Sequence, residues 1–242
     1  MRQIITVLLG ATALSIACAP ATLAADMSTK APMYTKAPMA APAFSWTGFY
    51  LGGDVGYGWG RSSGTGTASS GLFPNPYNYD TNGVIGGGFL GYNYQINQFV
   101  VGVEADWQAA DLKGNSGSFI GSGGASYTFS TNVNNYGSLR GRLGYAMDRW
   151  LVFATGGWAW GYASTSYAFT GTPPFSTNSG NRFGWTGGGG VEYAITNNWL
   201  TRLEYRYTDL GSRAYVDVPN NSADTGNRIT VNDVRLGVAY KF

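Results

Sequence analysis

Apolar side chains recur at every second position from Phe49 to the end of the chain. In the last stretch, VNDVRLGVAYKF, valines, a leucine and two aromatics alternate with Asp233, Arg235, small residues and Lys241. A repeat of two puts alternate side chains on opposite faces of an extended strand, whereas a helical face repeats every 3.6 residues. Glycine, with 37 of 242 residues, also disfavours helices, at about 1 kcal/mol for each interior position. The sequence therefore predicts an all-β fold.

Eight segments carry this alternation, at residues 49–60, 84–96, 99–112, 136–147, 150–162, 182–195, 199–210 and 231–242. After the second, fourth and sixth segments the connections are only two or three residues, NQ, DR and TNN. The other connections are long and rich in Gly, Ser, Thr and Asn. This arrangement predicts an eight-stranded antiparallel up-and-down β-barrel with both chain ends on the short-turn side. The fifth segment is apolar on both faces, so its sidedness stays open.

The first 45 residues differ from the rest in composition. Arg2 followed by IITVLLGATALSIACA is typical of a secretory signal peptide, predicted at 1–24 with cleavage after Ala24 or Ala25. Cys18 lies inside it, either as an ordinary apolar residue or as a lipidation site. Residues 25–45 are rich in Pro and Ala and repeat TKAPM, which predicts an extended periplasmic linker. The barrel domain is then predicted at 46–242.

Alternation alone does not say which face of the barrel meets water. Aromatic residues occur at both ends of several apolar faces, as in Phe99 and Trp107, which suits the two interfaces of a membrane. The opposite faces are rich in glycine and carry nearly balanced charges, which suits a narrow interior. We therefore predict a transmembrane barrel with an interior charge network of Asp54, Glu104, Asp106, Arg140, Arg142, Glu192, Arg202, Glu204, Arg206, Asp233 and Arg235. The alternative is a soluble exported barrel with its apolar face inside.

The residues needed for several kinds of chemistry are missing. The chain has no histidine, and its single cysteine lies in the predicted signal peptide, which excludes Ser-His-Asp and Cys-His catalysis and histidine metal sites. Glu104 and Asp106 share a strand face and could form a glycosidase pair, but Arg140 and Arg142 favour interior salt bridges. The net charge of +2 with scattered cations argues against nucleic acid. We predict a non-enzyme without a cofactor.

Four stretches carry a family resemblance: FSWTGFYLGGDVGYGWG, GFLGYNYQ, RGRLGYA and VRLGVAYKF. They resemble the OmpA-like outer-membrane barrels and, more closely, the RopB-type major outer-membrane proteins of alpha-proteobacteria. The resemblance implies a place in the Gram-negative outer membrane. It also implies that the assembly machinery reads the last strand, through Leu236, Val238, Tyr240 and Phe242. A haem site, which the resemblance raises for some of the group, would need Tyr or Met ligands here.

These observations predict a structural and surface protein that supports the envelope and contacts hosts or phage through its long loops. A narrow low-conductance channel is the alternative, although side chains roughly fill an eight-stranded barrel. Five cations at the long-loop ends are candidates for contact with lipopolysaccharide phosphates: Arg61, Lys113, Arg182, Arg213 and Arg228. Ordinary solvated charges at strand ends are the alternative explanation for them.

Overall fold

The computed structural model describes residues 44–64, 66–68, 77–120, 126–169, 176–217 and 222–242. Eight long strands are β1 (Gly48–Gly64), β2 (Tyr77–Ile96), β3 (Phe99–Asn115), β4 (Ser126–Met147), β5 (Trp150–Phe169), β6 (Ser176–Ala194), β7 (Trp199–Asp217) and β8 (Ser222–Lys241). Each pairs with the next in antiparallel fashion, and β8 pairs with β1 from Tyr50–Lys241 to Ser63–Arg228. The barrel is therefore closed, and the predicted fold is confirmed. The predicted signal peptide and nearly all of the linker lie outside the described residues.

Two short strands extend the ladder. Gly66–Ala68 pairs with β8, and Phe119–Ile120 pairs with β4. In the part of the chain that the structure describes, no helix is long and apolar enough to span a membrane.

The strands are longer than predicted at the long-loop ends. The β4–β5 ladder, for example, runs to Tyr127–Phe169 instead of ending near Tyr136. Residues there are mostly Ser, Thr, Asn and Gly, so backbone pairing continues although the apolar alternation has ended. On the short-turn side the ends agree with the prediction within one residue. Asn97 and Asp148 have φ of 54° and 53° in the two tight turns, a conformation that Asn and Asp tolerate.

The outer face of the barrel carries an apolar band between two rows of aromatic rings. The lower row, beside the short turns, includes the ring pairs Phe49–Tyr92, Phe99–Tyr145, Trp150–Tyr193 and Trp199–Tyr240, with centroids 4.7–5.7 Å apart. The upper row includes Tyr57, Trp59, Trp107, Trp158, Phe183 and Trp185, all exposed on the outer face. Ten residues of tilted strand separate Phe49 from Trp59, roughly 25 Å along the barrel axis, the height of an apolar band in outer-membrane barrels.

The sidedness of β5, open from the sequence, follows from burial. Leu151, Phe153 and Thr155 point inward, whereas Val152 and Trp158 face outward. Both faces are apolar because the inward face packs against aromatic and aliphatic side chains at either end of the interior.

Candidate functional site

Three stacked layers of side chains fill the barrel. The lower seal, near the short turns, consists of Trp46, Tyr50, Phe89, Val100, Ala146, Leu151, Phe153, Ala194, Leu200 and Ala239. The upper seal consists of Ile85, Leu112, Val133, Tyr136, Ala159, Ala163, Leu210, Ile229 and Val231. The ionic layer between them holds the six carboxylates and five guanidiniums of the predicted network, each less than 8% exposed: Asp54, Glu104, Asp106, Arg140, Arg142, Glu192, Arg202, Glu204, Arg206, Asp233 and Arg235.

Glu104 of β3 is the centre of the lower half of the ionic layer. Its carboxylate accepts hydrogen bonds from Arg140 and, at 2.6 Å, from Arg202 Nη2. Arg142 Nη1 lies 3.6 Å away, and the Tyr50 hydroxyl donates to Glu104 Oε2 at 2.7 Å. A carboxylate so enclosed is compensated by three cations, which offsets the several kcal/mol that burying an unpaired charge costs.

Asp106 organises the upper half of the ionic layer. It accepts from Arg206 Nη1 at 2.6 Å, from Arg235 Nη1 at 3.3 Å and from the Ser138 hydroxyl. Arg235 also donates from Nε to Asp233 Oδ1 at 2.5 Å. Asp106 therefore connects β3 to β4, β7 and β8 through side chains alone.

Bridging arginines join the two halves into one network. Arg140 contacts both Glu104 and Glu204, and Arg206 contacts both Glu204 and Asp106. At the lower edge, Arg142 Nη2 and Arg202 Nε lie 2.6 and 2.5 Å from Glu192. The same two guanidiniums lie 4.0 and 4.1 Å from ring centroids of the lower seal, Phe153 for Arg142 and Phe89 for Arg202. Cation–π contacts of this kind join the ionic layer to the apolar layer beneath it.

Asp54 is the most loosely held carboxylate of the layer. Its nearest guanidinium nitrogen is Arg235 Nη1 at 3.9 Å, and Gln108 Nε2 donates to its Oδ2 at 3.3 Å. Gln108 also reaches Asp106 Oδ2 at 3.5 Å. The amide of Gln108 thus links Asp54 to the rest of the network.

Glycines on the inner face leave the room that these long side chains need. A Cβ on Gly56 would clash with the Val234 carbonyl oxygen and lie 3.0 Å from Arg235 Cγ. One on Gly87 would clash with the Trp107 carbonyl oxygen and lie 2.6 Å from Gln108 Oε1. The glycine-rich stretch around Gly87, which superficially matches a dinucleotide-binding pattern, therefore serves packing inside a strand. Neither Glu104 nor Asp106 has an open side from which a sugar could approach.

The segment Phe44–Thr47 closes the end of the barrel nearest the short turns. Trp46 is fully buried; its backbone amide donates to Gln95 Oε1 at 2.8 Å and its indole to the Asp148 carbonyl at 3.1 Å. Lys241 Nζ donates to the Thr47 carbonyl at 3.3 Å. From the sequence, Trp46 is recognised only as part of a family motif. A large aromatic two residues before the first strand is the one signal that could have indicated that Trp46 closes this end of the barrel.

The predicted lipopolysaccharide contacts divide into two groups. Arg61 and Lys113 lie on the outer face with side chains 65% exposed, paired with Asp80 and Asp111. Arg213 is exposed, and Arg228, 55% exposed, pairs with Asp209. Arg182 was placed wrongly, because it is buried inside the long-loop end of the barrel and donates to the Asn227 carbonyl at 2.7 Å. Arg182 is an even number of positions from the inward-facing Thr186 and Glu192 on the same strand, so alternation places it on the inner face. The prediction made from its place near a long loop overlooked this.

The predicted assembly residues line the outer face of β8. Leu236, Val238, Tyr240 and Phe242 are 37–71% exposed, and Leu236 lies opposite Val55 of β1. The Phe242 amide donates to the Phe49 carbonyl at 2.9 Å. The last strand therefore completes the closure of the barrel and presents its apolar face outward.

Comparison with known proteins places this barrel among bacterial envelope proteins. The family model described as outer membrane protein beta-barrel domain matches residues 10–242. The 31 kDa outer-membrane immunogenic protein of Brucella melitensis biotype 1 is 36% identical over 213 residues, covering 84% of this chain and 87% of that protein. The 22 kDa outer membrane protein of Rhizobium leguminosarum bv. viciae is 40% identical, covering 83% of this chain and 80% of that protein. The 25 kDa outer-membrane immunogenic protein of Brucella canis is 31% identical, covering 90% of each chain.

Proposed function

Since the chain belongs to the outer membrane protein beta-barrel domain family and is a Gram-negative outer-membrane protein, we propose that it is a structural and surface protein. In this proposal the barrel supports the envelope, and the connections after β1, β3, β5 and β7 contact hosts, antibodies or phage. The names of the Brucella relatives, which call those proteins immunogenic, support a surface role. We propose no catalytic activity.

The observation that carries this proposal is the filled interior. An ion crossing the barrel would shed its water at the upper seal, pass a layer of paired charges and then cross the lower seal, which includes Trp46. Removing an ion from water into apolar surroundings costs far more than thermal energy. This arrangement disfavours the narrow channel, and leaves the outer surface and the ends as the parts that can act on other molecules.

Two partners follow from the outer surface. We propose that the assembly machinery reads the β8 face that ends in Phe242. We also propose that Arg61, Lys113, Arg213 and Arg228 contact lipopolysaccharide phosphates. Replacing these four with Gln should weaken association with lipopolysaccharide, and unchanged association would remove that part of the proposal.

Planar-bilayer recording and a deletion strain test the function directly. We expect no steady conductance steps from the purified barrel, and a deletion strain that becomes more sensitive to detergent and is rescued by the intact gene. Reproducible steps of a single size would favour the channel. Normal detergent resistance in the deletion strain would contradict the envelope role.

A further inference from the structure

A groove, here called the β1–β3 groove, runs along the outer wall, with small residues on β2 and β3 and larger apolar residues on β1, β7 and β8. It has a volume of about 850 Å³. Its walls include Val55, Tyr57, Val84, Gly86, Ala109 and Leu236. Gly86 and Ala109 lie opposite each other in the β2–β3 ladder, so two neighbouring strands lack large side chains at the same level. The groove is a depression in an otherwise bulky apolar surface.

The strand register places the groove in the outer half of the apolar band. Val55 and Tyr57 lie opposite Gly86 and Val84, and both follow the midpoint of the Phe49–Trp59 span, with Tyr57 already in the upper aromatic row. The surrounding medium at this depth is the hydrocarbon of the outer leaflet, which in a Gram-negative outer membrane is formed by lipopolysaccharide. An apolar depression at that level is filled by an acyl chain.

Two cations lie beyond the upper end of the groove, Lys113 in the next row of outward residues and Arg61 in the row after it. Lys113 lies opposite Asn82 of β2, and Arg61 lies opposite Asp80. Asn82 precedes Val84 by two positions on the same face, roughly 7 Å along the strand. The carboxylate partners of both cations are exposed, with side chains 79% exposed for Asp80 and 63% for Asp111. Ion pairs so exposed contribute little, so a phosphate can replace either carboxylate.

From this juxtaposition we propose that the β1–β3 groove binds one lipopolysaccharide molecule, with an acyl chain over Gly86 and phosphate groups at Arg61 and Lys113. This inference rests on the proposed contact with lipopolysaccharide and assigns it to one sector of the wall. The groove is a feature of the outer face alone and does not involve the ionic layer.

Outward-facing positions on β4 and β5, outside the groove, supply matched controls. A Cβ on Gly86 would lie 3.5 Å from the Asp54 carbonyl oxygen and 3.6 Å from Val55 Cγ1, which are ordinary contacts. Gly141 of β4 also faces outward, and a Cβ there would meet only the Gly156 carbonyl oxygen, at 3.8 Å. Gly86→Leu therefore fills the groove, whereas Gly141→Leu adds the same side chain elsewhere. Ala109→Leu and Ala154→Leu form a second pair of exposed outward positions.

The test is binding of purified lipopolysaccharide to the full chain in detergent, after an unheated-versus-boiled gel shift has shown that each variant is a folded barrel. We expect Gly86→Leu or Ala109→Leu to weaken binding by about tenfold or more, because excluding two methylene groups from an apolar contact has roughly that effect. Gly141→Leu and Ala154→Leu should bind as the unmodified chain does. The Arg61→Gln, Lys113→Gln double variant should bind more weakly than the Arg213→Gln, Arg228→Gln double variant, which removes the same number of proposed phosphate contacts on β7 and β8.

Each contrary result overturns a specific part. If the groove variants and the control variants bind equally, the groove is not the binding site. If the double cation variant nevertheless binds weakly, the phosphate contact stands without the groove. If the groove variants lose binding and the double cation variant binds as the unmodified chain does, the phosphate contact is overturned instead. Equal, Gly86-dependent binding of phosphatidylcholine would show that any acyl chain fits, and would overturn the assignment to lipopolysaccharide.

Discussion

Val103 and Glu104 are neighbours on β3, and they face opposite sides of the barrel wall. Val103 is 59% exposed and lies midway between the aromatic rows, whereas Glu104 is 1% exposed and touches three arginines. In a water-soluble protein the exposed residue would be the charged one. Here the large accessible area belongs to a surface that meets lipid, so exposure does not mean contact with water. The inner face holds charges because they are compensated by one another, and the apolar band between the aromatic rows of the outer face holds none because lipid cannot compensate them.

Removing one cation from the inner face should give the largest effect. Arg140→Gln leaves Glu104 and Glu204 short of a shared partner inside a closed barrel. Breaking one side of a buried ion pair typically costs about 3–5 kcal/mol. We expect a loss of that size in the free energy of unfolding, measured by urea unfolding in lipid vesicles.

The double variant Arg140→Gln, Glu104→Gln is the control for that measurement. It removes both members of the pair and should recover part of the loss, since coupled residues are not additive. A loss for the double variant equal to the sum of the losses for Arg140→Gln and Glu104→Gln alone would mean that the two side chains act independently and that the network is only a set of separate contacts.

A cation on the outer face should give the next largest effect. Val103→Arg places a charge at mid-depth in the apolar band, where it costs about 2–4 kcal/mol. Ser212→Arg adds the same charge above the upper aromatic row at a position that is also exposed, and we expect a change within about 0.5 kcal/mol. Equal effects of the two substitutions on urea unfolding in vesicles would contradict the assignment of the outer face to lipid.

The contrast between the faces explains what the sequence could predict. Where one face is charged and the other apolar, as on β3, β7 and β8, alternation predicted the strands. The aromatic ends of the apolar faces and the nearly balanced charges of the opposite faces then predicted which face points inward. The family, the fold and the outer-membrane location predicted from the sequence are confirmed. On β5 the inward Leu151 and Phe153 are as apolar as the outward Val152, so parity carried no information about sidedness.

Three kinds of structural detail could not be predicted from the sequence. The outer ends of the strands lack alternation, so nothing marked the ladder from Tyr136 on to Tyr127. A register shift on β4 between Val133 and Asn135 lets both Val133 and Tyr136 point inward despite opposite parity. The partner of each arginine depends on which strands face one another across the interior, and periodicity along one strand contains no information of that kind.

Phe242, directly after β8, should have the smallest effect on stability and a larger one on biogenesis. The Phe242 side chain is 71% exposed, and its ring contacts Tyr240 with centroids 5.2 Å apart. The backbone hydrogen bond from its amide to the Phe49 carbonyl remains in Phe242→Ala, so we expect a change in unfolding free energy of no more than about 1 kcal/mol.

If the assembly machinery reads Phe242, the amount of heat-shifting barrel in cell membranes should nevertheless fall several-fold in Phe242→Ala. Phe99→Ala is the matched control, since Phe99 is another lower-row aromatic, 58% exposed and in edge-to-face contact with Tyr145. A fall in assembled barrel no greater for Phe242→Ala than for Phe99→Ala would reduce the terminal aromatic to one member of the lower row, because interfacial anchoring alone would then account for both.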